Sequence, residues 1–146
     1  MKNYNLIPQE ENNFCGCSVI QAILNKYDIK VSQKEIAQEL YPSSQGFYFN
    51  DSKFKEFISK KGFNYEFYWY NETPFNEPDF LLSENLEKDI LFGWKNHIRL
   101  VISFKDPNIE FIDPKNGEKQ TKDLKEILKE MRENNDGFFG LIKKLN

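Results

Sequence analysis

Apolar residues change their period near residue 62. Before it they recur at three- and four-residue intervals; after it they mostly alternate. Val19, Ile20, Ile23, Leu24 and Tyr27 mark one face of an amphipathic helix over 15–27, with Cys15 in its first turn. Ser32 and Glu35 form a capping box ahead of Ile36, Ala37 and Leu40, which predicts a short second helix. Asp51 or Ser52 caps a third helix carrying Phe54, Phe57 and Ile58, and Gly62 ends it. Phe63, Tyr65, Phe67 and Trp69 alternate with more polar neighbours and read as a strand. Residues 97–104 and 109–112 read as two strands joined by the turn Lys105-Asp106-Pro107-Asn108, and a second turn follows at 113–117. Thr121 is the expected cap of a last helix with Leu124, Ile127, Leu128 and Met131 on one face, and Phe138–Leu145 fits a closing strand. Residues 1–14, 42–46 and 71–83 read as loops, and 84–92 fit either a helix or a helix-to-strand junction. Helices first and mostly antiparallel strands afterwards predict an α+β fold. Without repeats or a linker, residues 1–146 are expected to form a single domain.

Composition narrows the class. A net charge of −3 over 146 residues gives no basic footprint for nucleic acid. The aromatic surplus, with 14 Phe and 7 Tyr, reads as core rather than as a base-stacking surface. No apolar run approaches the ~20 residues of a membrane span, and the first residues lack a signal core, so a cytoplasmic protein is expected, or one released by a dedicated secretion system. Abundant Lys, Asn, Ile and Phe suit an AT-rich bacterial genome. Two cysteines two residues apart do not make a disulfide framework.

The chemistry-bearing residues are few. The only histidine, His97, opens the apolar run His97-Ile98-Arg99-Leu100-Val101-Ile102. Asp113-Pro114 follows sixteen residues later. Upstream stands Gln9-Glu10-Glu11-Asn12-Asn13-Phe14-Cys15-Gly16. A helix N-terminus favours a thiolate, and an imidazolium beside it favours it further. His97 would supply that imidazolium and later protonate a leaving amine, while Asp113 would orient the ring. The Gln9 side chain would donate to the developing oxyanion beside the backbone N–H of Cys15. Gly16 would admit close packing beside the nucleophile. Trp94 would shield the thiol–imidazole pair from water or serve as a core or rim aromatic. Arg99, two residues after His97 on the same side of the strand, would bind an acidic substrate or stand as a solvated charge on an open rim.

Gln9-x5-Cys15-Gly16, the helix after it, and His97 with Asp113-Pro114 resemble the papain-like cysteine peptidases. They are most similar to the bacteriocin-processing, double-glycine leader peptidase family, over roughly residues 6–143. The resemblance implies Cys15 as nucleophile, His97 as base, Asp113 as orienting residue and Gln9 as oxyanion donor. It also implies a papain-like fold with the nucleophile helix packed on an antiparallel sheet. Two departures stand out: the family usually has Asp before the cysteine, here Phe14, and its strand after the histidine is usually apolar, here interrupted by Arg99.

Cys17 reads as a packing residue. A Cys15-Gly16-Cys17 redox ring would be strained, and the spacing of two cysteines and one histidine is not that of a zinc site, so neither metal nor cofactor is expected. The expected reaction is hydrolysis of a peptide or isopeptide bond, with a peptide or protein substrate and an exporter or precursor peptide as partner. Transfer of the acyl group to an amine uses the same thioester. A silent papain-like domain that binds peptides or proteins is the reading from a different class.

Overall fold

The computed structural model describes residues 2–41, 47–72, 85 and 87–146. The chain forms α1 (Cys15–Lys26), α2 (Gln33–Leu40), α3 (Ser52–Lys60), β1 (Phe63–Trp69), β2 (Asp89–Trp94), β3 (His97–Lys105), β4 (Asn108–Asp113), β5 (Glu118–Asp123), α4 (Leu124–Asn134) and β6 (Phe138–Lys144). The expected α+β order is met. The expected loop at 42–46, and all but residues 71 and 72 of the one expected at 71–83, lie outside the described residues.

The strands form one antiparallel sheet in the order β1-β6-β2-β3-β4-β5. Side-chain alternation assigns its two faces. Leu91, Leu100 and Ile142 point to the layer of α1, α2 and α3. Ile90, Phe92, Val101, Phe139 and Leu141 point to α4, which answers with Leu124, Ile127, Leu128 and Met131. β2 is therefore buried along its whole length. That explains the ambiguity over 89–92, since a strand covered on both faces shows no alternation; residues 84 and 86 of the expected segment lie outside the described residues. The structure resolves the doubt in favour of a strand from Asp89.

Two corrections concern the C-terminal half. Glu118–Asp123, where the sequence pattern predicts no strand, is an edge strand paired only with β4. Thr121 lies inside it. The cap of α4 is Asp123, whose Oδ1 accepts from the Lys125 N–H at 2.8 Å. The capping box at Ser32 and Glu35 forms as read, and Asp51 takes the cap of α3.

Two polar anchors hold the N-terminal segment across the molecule. Asp89 is fully buried and accepts from Tyr4, from Lys26 Nζ at 2.6 Å and from Tyr27 Oη at 2.7 Å. The buried Gln33 takes the Glu10 N–H at 2.9 Å and reaches the carbonyls of Ile7 and Pro8 at 3.1 Å each. Residues 7–10 are thereby clipped to α1 and α2, and the Gln9 N–H donates to the Pro114 carbonyl at 2.7 Å. This strap joins the loop before Cys15 to the Asp113 turn. No described helix is long and apolar enough to cross a membrane.

Candidate active site

Cys15 is the first residue of α1, and Phe14 before it offers no side-chain cap. The orphan N–H groups of the first turn therefore remain available to an anion. α1 packs on β3, and β3 begins at His97. The topology thus brings the thiol and the ring together from 82 residues apart in sequence.

Cys15 and His97 line one cleft, and each bears on the other's ionisation: the imidazole lowers the thiol and the thiol raises the imidazole. His97 Nε2 lies 2.6 Å from Asp113 Oδ1, which leaves Nδ1 for the sulfur. The Asp113 carboxylate also accepts from the Lys115 N–H at 2.9 Å, so the turn fixes its direction. Both partners of the His97–Asp113 pair are largely buried, with side chains 18% and 14% exposed.

The electrostatics follow from these contacts. Burial opposes ionisation of Cys15, but the His97 hydrogen bond and the N–H groups of Ile98 and Gly16 outweigh it and hold the thiol below its ordinary value. The Cys15 hydrogen bond raises His97, against partial burial and with help from Asp113. Burial would raise Asp113, but the Lys115 N–H, His97 and Arg99 together hold it low. Cys17, two residues on, is buried, and its thiol is pushed up to about 11. One helix turn thus carries one acidic thiol and one inert one. The arrangement can form a thiolate–imidazolium pair with the ring's far side locked.

The other candidates lie as follows. Gly16 lines the cleft beside Cys15, and a Cβ there would stand 3.0 Å from the Phe47 ring and 3.1 Å from Phe49. Its lack of a side chain lets these aromatics close on the start of α1. Gln9 is placed differently from the expectation. Its amide nitrogen donates to the carbonyls of Glu11 at 3.1 Å and Asn12 at 3.0 Å, committing both hydrogens to the loop. As it stands Gln9 braces the loop before Phe14, and the donors beside the sulfur are backbone N–H groups. Trp94 is buried, lines the cleft, and donates its indole N–H to Glu130 at 2.7 Å. Arg99 is not a solvated rim charge: it is 8% exposed and bonded to the carbonyls of Trp94 and His97. The strand turns Arg99 toward the α4 layer with Phe92, its partner in register.

A cleft of about 530 Å³ opens at Cys15 and His97. Its walls include Phe47, Tyr48, Phe67, Trp69, Trp94 and Phe138, with Asn12, Asn13, Asn50 and Asn96 among them. Trp69 and Phe138 are register partners on β1 and β6, and Tyr48 and Trp69 are 70% and 40% exposed. Part of the aromatic surplus therefore lines this cleft while packing against the core. The sequence signal was present in the alternation of Phe67 and Trp69, but only the β1–β6 pairing aligns it with Phe138. Tyr41 was also missed: its hydroxyl donates to the Asn13 carbonyl at 2.6 Å and steadies the chain just before the thiol.

The sequence profile of the peptidase C39 family matches residues 3–132. No curated protein matches the chain. Solved structures that share the fold include the following three. A double glycine motif protease from an AMS/PCAT transporter, in complex with its leader peptide, superposes with a TM-score of 0.70 at 18% identity, covering 97% of this chain and 92% of that one. The peptidase domain of Streptococcus ComA, a bifunctional ABC transporter of a quorum-sensing pathway, gives 0.69 at 16% identity, with 97% and 99% covered. UfSP from C. elegans gives 0.67 at 12% identity, with 97% of this chain and 33% of that one covered.

Proposed function

The chain belongs to the peptidase C39 family of cysteine peptidases, and on that premise we propose that it cleaves a peptide substrate through Cys15, His97 and Asp113. The observation that carries this reading is that Cys15 and His97 line one cleft while Asp113 holds the far side of the ring at 2.6 Å.

The thiolate of Cys15 attacks the scissile carbonyl carbon, and the carbonyl oxygen takes the negative charge. Backbone N–H groups at the start of α1 face that oxygen, and Gln9 shapes the loop that presents them. Collapse of the intermediate breaks the C–N bond, and the His97 imidazolium gives its proton to the leaving amine. His97, now neutral, takes a proton from water as that water attacks the thioester. The acid product leaves, and the thiolate–imidazolium pair is restored. Asp113 keeps the ring oriented through both proton transfers.

The aromatic cleft suits an apolar peptide segment lying beside the reacting bond. Synthetic peptides with an apolar stretch ahead of a Gly-Gly step are the first probes, that motif being the one named for the similar transporter protease. A leader-bearing precursor peptide is the substrate class this favours. Wild-type protein is expected to cleave such a peptide, and Cys15→Ala to bind it with unchanged Kd and leave it intact. Cleavage that survives Cys15→Ala would overturn the assignment. A peptide that binds the wild type but neither acylates Cys15 nor is cut would favour the silent binding domain.

A further inference from the structure

We propose that Arg99 is a positioning residue that locks the hairpin carrying His97, bridging the backbone at both ends of its turn from inside the protein. The inference rests on the Cys15–His97 reading above.

The turn itself needs holding. Trp94 and His97 are register partners, so only Lys95 and Asn96 separate β2 from β3. Both have positive φ, 54° and 56°. That is the backbone of a type I′ turn, which Asn tolerates and Lys adopts reluctantly. His97, the residue whose ring must meet both Cys15 and Asp113, is the first residue beyond it.

Arg99 reaches back under this turn. Its Nη1 donates to the Trp94 carbonyl and, at 3.0 Å, to the His97 carbonyl. Its guanidinium carbon lies 4.5 Å from the centroid of the Trp94 ring. Trp94 is in turn pinned from α4, through its indole N–H on Glu130. Arg99, Trp94 and Glu130 thus tie the hairpin to the α4 layer. Arg99 is nearly fully buried, and its Nε meets no acceptor among the described residues. A guanidinium so placed is costly as mere packing, since apolar neighbours line the rest of this face. Its two carbonyl bonds supply what an apolar side chain there would lack.

Arg99 also adds a buried positive charge behind the catalytic groups. The charged groups around it are Cys15 on α1, His97 on its own strand, Asp113 on β4, Lys95 in the turn, Lys122 on β5 and Glu130 on α4. Its field helps hold Asp113 ionised. Removal would loosen the ring and weaken the thiolate–imidazolium pair, without touching substrate.

The test uses iodoacetamide on the full chain, with Cys15 modification followed by mass spectrometry from pH 5 to pH 10. Circular dichroism and melting verify the fold of each variant. Arg99→Met is expected to slow modification at pH 6 by about tenfold, in line with the loss from misplaced catalytic groups. The deficit should shrink toward none by pH 10, where the thiolate forms unaided. Arg99→Lys keeps the charge but not the paired carbonyl contact, and should show a smaller deficit with the same pH dependence. It carries the test if Arg99→Met does not fold. A folded variant with the wild-type profile, or one slowed equally at every pH, overturns the proposal. Slow modification of wild-type Cys15 at pH 6 would instead count against the Cys15–His97 reading itself.

Discussion

Cys15 and Cys17 share a helix turn and differ in every respect that governs thiol reactivity. Cys15 shares the cleft with His97, and the imidazole with the N–H groups of Ile98 and Gly16 holds its thiol low. Cys17 is enclosed by the core and lies 3.5 Å from the Tyr41 hydroxyl. Iodoacetamide at pH 6 should therefore alkylate Cys15 and leave Cys17 untouched, as read by peptide mapping; modification of Cys17 first would invert the assignment. Of the two, only Cys15 stands at a helix start with Gly16 behind it, and that much was legible in the sequence. The identity of its neighbours was not. Ile98 contributes through its backbone N–H, which any residue would supply, so no side-chain signal marks it. Gln9 was legible as a residue near the site but not in its orientation, because the carbonyls of Glu11 and Asn12 compete for its amide.

Helix α4 shows how local chemistry and pairing divide the work. Its apolar stripe was plain at a spacing of three and four residues, and the four side chains pack against Ile90, Phe92 and Phe111. Its start was misplaced by two residues, since Thr121 and Asp123 are both acceptable caps in isolation. Pairing with β4 decides between them: Thr121 is drawn into β5 opposite Glu110, and Asp123 is left at the junction. Asp123→Ala should then lower stability by about 1 kcal/mol, whereas Thr121→Ala should stay within about 0.5 kcal/mol of wild type. Denaturant unfolding distinguishes the two, and the reverse order would restore Thr121 as the cap. β5 escaped notice because Glu-Lys-Gln-Thr-Lys-Asp has no apolar face to alternate. Charged residues on an edge strand serve to discourage pairing with other chains.

The His97–Asp113 pair also couples the fold of the whole chain to pH. His97 is raised in the folded state, so its contribution is complete below its unfolded value of about 6.5 and fades as pH rises through the folded value. Asp113 is lowered, so its contribution is complete above about 3.9 and fades as pH falls through its folded value. Between about pH 4 and 6.5 both are present. The gap in Tm between wild type and Asp113→Asn should be widest there and narrow toward pH 3 and pH 9; a gap independent of pH would mean that the pair is not an ion pair. All of this depends on α1 and β3 bringing Cys15 against His97, a contact that spans the molecule and that no local pattern specifies. The chain's single histidine allows it to be read without ambiguity. A titration of the His97 ring by NMR should place the wild-type midpoint above the ordinary ~6.5, and Cys15→Ala should bring it down. A wild-type midpoint at or below the ordinary value, unmoved by Cys15→Ala, would contradict the account.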